Sequence, residues 1–179
     1  IVLPKPIKVY PKVTKRNIQA LFDDCMKVKD SRIAWLIETA VQLGAERNSL
    51  NFSPDSLVHI WEVLMPHVVW ASPPPVTLER ITECPEWFGV KHSAVYNNIS
   101  GYDLLSIWLL DGLMYYYGEV LIYNIPGVIW RNKDQPQAWS EFGTPIIYAI
   151  DDNDSQIGNF WALSFSCVQS CFIDTWFVS

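Results

Sequence analysis

The strongest constraint on this chain is the block from Ser100 to Trp130, which is apolar at almost every position. Leu104, Leu105, Ile107, Trp108, Leu109, Leu110, Leu113 and Met114 leave only a narrow polar arc near Asp103, Ser106 and Asp111. A helix that is apolar on nearly all sides cannot lie on a surface, so the rest of the chain has to wrap it. Ser100 with Asp103 three residues later is a capping-box variant that marks its start. Beyond Tyr115-Tyr116-Tyr117-Gly118-Glu119, strand propensity takes over at Val120 to Tyr123 and again at Val128 to Trp130. Asn124-Ile125-Pro126-Gly127 reads as the hairpin connection between them. Its Pro-Gly pair suits a type II turn, so a loop longer than a tight two-residue hairpin is expected. Pro145 to Ile150 supplies a third strand. The expected class is α+β, with N-terminal helices plus a buried central helix packed on a small antiparallel sheet, all in one domain over residues 1–179.

A chain of this length buries roughly 70% of the surface its unfolded form exposes. With 50% apolar and 18% charged residues it is far from the composition of disorder. Residues 1–14 carry Pro4, Pro6 and Pro11 among Lys5, Lys8 and Lys12, an extended basic arm suited to lie over an acidic body. Ile18, Leu21, Phe22, Cys25 and Val28 have helical spacing, which predicts a helix from Lys15 to Lys29. Ser31 caps a second helix through Ile33, Leu36, Ile37, Ala40 and Leu43, stopped by Gly44. Ser53 and Pro54 open a third, through Leu57, Ile60, Trp61 and Leu64, which ends before Pro66. Residues 68–98 show no sustained period and are expected to wrap the surface, with a partner-binding edge as one use of so long a connection. Asp151-Asp152-Asn153-Asp154 reads as a solvated turn, and Phe160 to Phe177 as a last helix.

The net charge of −6 is unevenly spread. Residues 1–50 hold nine Lys/Arg against five Asp/Glu, and residues 51–179 hold four against fourteen. An acidic body disfavours nucleic acid, which needs cations to displace phosphate counterions, and favours a basic protein partner. Cys25, Cys84, Cys167 and Cys171 are too dispersed for a disulfide framework, and Cys167 with Cys171 lacks the companions of a zinc site. No uninterrupted apolar run reaches the roughly 18 residues of a membrane span, so a cytoplasmic location without membrane attachment is expected. The start at Ile1 rather than Met leaves room for a preceding leader.

Candidate chemistry centres on Glu119 and Asp111. A carboxylate in an apolar pocket can gain proton affinity and act as a general acid or base, and two such groups make an acid/base couple for a hydrolase or transferase. The structural alternative is that Glu119 meets backbone amides or an arginine such as Arg131. Asp152 fails as the start of a calcium loop, because its sixth and twelfth positions are Ile157 and Leu163. His59, His67 and His92 have no metalloprotease spacing, and nucleotide-binding and nucleophile-elbow motifs are missing. No metal and no cofactor are expected. Trp70, Trp87, Trp130, Trp139 and Trp161, if exposed, would suit a carbohydrate-binding module, although indoles more often serve as core or interface anchors.

Tyr117-Gly118-Glu119-Val120, the hairpin closing at Trp130, and Thr144-Pro145-Ile146-Ile147 are similar to a pattern in small uncharacterised bacterial proteins, some of them predicted toxin-immunity proteins. The resemblance covers about Ser100 to Ile150. It implies a helix on an antiparallel sheet and a binding role, with no catalytic residues to transfer. The leading expectation is therefore a non-enzymatic immunity-like or inhibitor-like protein that engages a basic partner, such as a toxin domain. Glu83, Glu86, Trp87, Asp151, Asp152 and Asp154 are its candidate contacts.

Overall fold

A computed structural model describes residues 1–8, 10, 16–69, 82–87, 102–132 and 145–149. The expected surface wrap over 70–81 and 88–98 and the last helix from Phe160 to Phe177 lie outside these residues. Among the described residues the chain is mostly helical, and the first element is a single long helix, α1, from Ile18–Gln42. The two helices expected on either side of Ser31 are therefore one. The physical reason is visible along the buried stripe Leu21, Cys25, Val28, Arg32 and Leu36, which keeps its helical phase through residue 31. Ser31 does not cap; its hydroxyl donates to the Val28 carbonyl one turn back, at 2.7 Å. The stop at Gly44 is where the sequence places it. Gly44 has φ +110°, its amide donates to Val41 and the Ala45 amide to Ala40, the paired bonds of a Schellman motif.

A short 3₁₀ turn at Arg47–Ser49 leads to α2, Pro54–Leu64. Ser53 caps α2 by accepting from the Ser56 amide, and Pro54 occupies the first turn, where its missing N–H is not needed. Pro66 converts the end of the helix into a 3₁₀ turn over Met65–His67.

The third helix, α3, spans Leu104–Asn124, and every residue from Ser106 to Tyr116 is buried. Asp103 is its N-cap and accepts from the Ser106 amide at 2.8 Å. Ser100, the other half of the expected capping box, lies outside the described residues. Val120 to Tyr123 is not a strand, and α3 continues through it. Strand propensity is a weak preference that burial overrides, and here Val120 is core while Asn124 Nδ2 donates to the Val120 carbonyl and to the Phe52 carbonyl across the gap. Phe52 adopts φ +60°, costly for a residue with a side chain. It is held there by the Asn124 bond, a stack on Tyr116 and a hydrogen bond from its amide to the Tyr116 hydroxyl.

Ile125 to Val128 then form the type II turn that Pro126-Gly127 implies, with the Val128 amide donating to the Ile125 carbonyl and Gly127 at φ +79°. This turn joins a helix to a strand rather than two strands. Strand β1, Val128–Asn132, pairs antiparallel with β2, Pro145–Ala149, in a register that sets Trp130 opposite Ile147. The ladder meets α3 at Gly118, where a Cβ would lie 2.0 Å from Trp130 Cζ2 and 2.8 Å from Ile147 Cδ1. A second glycine, Gly112, lets α1 approach, since a Cβ there would lie 2.9 Å from Leu36 Cβ.

Gly118→Ala is expected to destabilise the protein by about 2–3 kcal/mol through overpacking against Trp130. Part of that loss should return when Trp130→Phe is added, because the offending ring atoms are gone. Gly44→Ala should cost about 1 kcal/mol through backbone strain alone. Urea midpoints of the variants check both.

Candidate functional site

Among the described residues, the densest set of ionisable side chains is buried where α1, α3 and residues 82–87 meet. α1 presents Arg32, α3 presents Asp111 and the 82–87 segment presents Glu86, with 4%, 0% and 1% of their surfaces exposed. Arg32 Nη2 lies 3.2 Å from Glu86 Oε1, and Arg32 Nε lies 3.4 Å from Asp111 Oδ2. The guanidinium also sits 4.2 Å over the Trp108 ring. Trp87 Nε1 donates to Asp111 Oδ1 at 2.6 Å, and Trp108 Nε1 donates to the Glu83 carbonyl at 3.0 Å. The N-terminal arm closes the cluster from outside. The Ile7 amide donates to Glu86 Oε1 at 2.7 Å, and Arg32 Nη2 donates to the Lys5 carbonyl at 3.0 Å. Residues 5–7 of the arm thus meet the cluster through their main chain.

One cation faces two carboxylates in this interior, and the proton affinities follow. Burial pushes Asp111 up to about 7, with the Glu86 charge adding to the rise and Arg32 and the Trp87 hydrogen bond opposing it. Burial also raises the neighbouring Cys25 thiol well above its usual range, reinforced by Glu86 and Asp111. Tyr115 is raised for the same first reason. A thiol in that environment stays protonated and is a poor nucleophile.

Glu119 belongs to a second, shallower set. Its Oε1 lies 2.7 Å from Lys29 Nζ and accepts from Trp130 Nε1 at 2.8 Å. Lys29 also reaches Asp30 at 3.0 Å. Burial pulls the Lys29 ammonium down, but hydrogen bonds to Glu119 and Asp30 more than offset it and leave its pKa raised. Glu119 is therefore inside α3, not at a helix-to-strand junction, and its cation is Lys29 rather than Arg131.

Two of the expected surface contacts are corrected. Glu86 and Trp87 are 1% and 2% exposed and bonded to Arg32 and Asp111, so with the arm in place neither is a surface contact. Glu83 is exposed. Asp151, Asp152 and Asp154 lie outside the described residues. Asp111 and Glu119 are not brought together as an acid/base couple; each has its own cation, and Asp111 has no access to solvent. Of the tryptophans considered for sugar stacking, Trp87 is core and Trp130 is half-buried against α3, while Trp70, Trp139 and Trp161 lie outside the described residues. No group of three or more His, Cys, Asp or Glu among the described residues is placed to hold a metal ion. No described helix is long and apolar enough to cross a membrane.

Arg32 is the residue that reading by motif passes over. Its signal is positional, because it occupies a stripe position otherwise filled by Leu21, Cys25, Val28 and Leu36. A charged residue there needs a buried countercharge. No family model, no curated protein and no solved structure matches the chain.

Asp111 makes a pH-dependent contribution that can be isolated. Between about pH 4 and 7 the folded protein keeps a proton on Asp111 that the unfolded chain releases, so the stability this proton confers is full at the acid end and lost as pH rises through 7. The stability difference between wild type and Asp111→Asn should therefore shift against the wild type from pH 5 to pH 7, by at most about 1.4 kcal/mol per unit. Urea titrations at each pH measure it, and a difference that stays flat would mean that Asp111 is ionised throughout.

Proposed function

We propose that the chain is a non-enzymatic binding protein that engages a basic protein partner through its acidic exterior, in the manner of a cytoplasmic bacterial immunity or inhibitor protein facing a toxin domain. The observation that carries this reading is how the ionisable groups are divided. The interior ones are absorbed by pairs, Arg32 with Glu86 and Asp111 and Lys29 with Glu119, whereas Asp23, Asp55, Glu62 and Glu83 lie on the surface. Charge on an exterior accelerates encounter with an oppositely charged partner, and exposed aromatic rings supply affinity once contact is made. Glu83, Asp151, Asp152 and Asp154 are the acidic contacts of this proposal. Tyr123, 79% exposed at the end of α3, takes the aromatic role that the burial of Trp87 removes.

The α+β class, with α3 packed on a small antiparallel sheet, is part of the same reading. Its support is the β1–β2 ladder and the contacts of Trp130 and Ile147 at Gly118. A hydrolase or transferase built on Glu119 and Asp111 draws no support from the geometry, since neither carboxylate is paired with the other. A sugar-binding module draws none from Trp87 or Trp130.

Affinity capture from extracts of the source cells tests the proposal, using wild type and a variant with Glu83, Asp151, Asp152 and Asp154 changed to Lys. A basic protein should be retained at low salt, released as salt rises, and lost from the charge-reversed variant. Retention indifferent to salt and to charge reversal, or retention of no protein, would overturn it.

A further inference from the structure

We infer that Trp35, Arg32 and Glu86 form a receptor groove for an extended, proline-containing peptide, and that residues 2–7 of the chain occupy it as an intramolecular stand-in. Among the described residues, three hydrogen bonds seat the segment, and each uses its main chain. Trp35 Nε1 donates to the Val2 carbonyl at 2.8 Å, Arg32 Nη2 to the Lys5 carbonyl at 3.0 Å, and the Ile7 amide donates to Glu86 Oε1 at 2.7 Å. Recognition through the main chain accepts any segment that can present the same groups, as in other grooves that read extended peptides. The two accepting carbonyls are three residues apart, the repeat of a polyproline II helix. Pro4 and Pro6 fall where no amide is required and restrict the backbone towards that form.

The groove side of this contact is preorganised. Arg32 and Glu86 are fixed by their buried ion pair, and the guanidinium is held against Trp108, so binding orders little on that side. The segment itself is lightly anchored. Val2 is 88% exposed and Ile7 49%, while Leu3, Pro4 and Pro6 are half-buried, so partial side-chain cover and three hydrogen bonds are set against the entropy of ordering six residues. A cleft of about 550 Å³ runs alongside it, lined by Leu3, Pro6, Thr82, Glu83 and Leu104. It offers room for a larger apolar side chain. The ligand class is therefore a proline-containing extended segment, and this inference does not depend on the acidic exterior proposed above.

The test uses the full chain carrying Ile7→Pro, which removes the amide that Glu86 accepts and loosens the cis segment. The probe is a fluorescein-labelled peptide matching residues 2–8, Val-Leu-Pro-Lys-Pro-Ile-Lys, followed by fluorescence anisotropy. The peptide should bind the Ile7→Pro chain saturably, and roughly tenfold or more tighter than wild type, whose own segment competes at high effective concentration. N-methylation of the peptide at the position of Ile7, or Trp35→Phe in the Ile7→Pro chain, should each weaken binding roughly tenfold. Saturable binding that is equal in wild type and Ile7→Pro, or no binding by an Ile7→Pro chain whose circular dichroism and melting match wild type, would overturn the inference. Loss of the folding transition in Ile7→Pro would overturn it too, because the segment would then be part of the core.

Discussion

Arg32 is inside this protein, and nearly everything around it is arranged so that it can be. A guanidinium removed from water carries a desolvation penalty that only close countercharge and good hydrogen bonding offset. Glu86 supplies the charge, with Asp111 adding to it as it ionises near pH 7, the Trp108 ring covers the cation, and the Lys5 carbonyl takes one of its donors. Those partners come from three separate stretches of chain, and Arg32 itself from a fourth. The ion pairs therefore fix how α1, α3 and residues 82–87 meet, more than they add to net stability, and the arm is joined to them by hydrogen bonds.

Around that junction the apolar core is continuous. α3 is covered by α1 through Gly112 and Leu36, by α2 through the Tyr116 hydroxyl bonded to Ser56, and by the β1–β2 ladder through Gly118. The two glycines matter for what they lack. Each removes a Cβ where another element has to come closer than a side chain allows. The polar groups inside this core are mostly taken up by one another, which gives it a register that hydrophobic contacts alone would leave loose.

The same economy shapes the functional reading. A perturbed carboxylate is often the mark of an active site, and Asp111 is strongly perturbed. Structural ion-pair networks perturb proton affinity as well, and Asp111 has its cation, its indole donor and no solvent. Its shift is therefore explained by architecture. The binding surfaces proposed above are the exterior carboxylates with Tyr123, and the groove under the arm, which shares Arg32 and Glu86 with this cluster.

Local signals were legible wherever they act over a few residues. Ser53 with Pro54 opens α2, Gly44 closes α1, Pro126-Gly127 turns the chain, and the uniformly apolar run of α3 had to be buried. Errors arose where a local preference competed with a distant contact. Ser31 looked like a cap because Arg32 interrupted the apolar pattern, and only Glu86 and Asp111 from elsewhere in the chain make a buried arginine acceptable in an unbroken helix. Val120 to Tyr123 has strand propensity, yet the burial of Val120 and the Asn124 bonds to Val120 and Phe52 keep it helical. Glu86 and Trp87 looked like surface because acidic and aromatic residues in a proline-rich stretch carry no sign of what will cover them. Periodicity and turn chemistry depend on neighbouring residues, so caps, turns and the burial of the apolar run can be read from the chain alone. Which charges are partners and which face water emerges on folding, because pairing depends on groups that lie tens of residues apart along the chain.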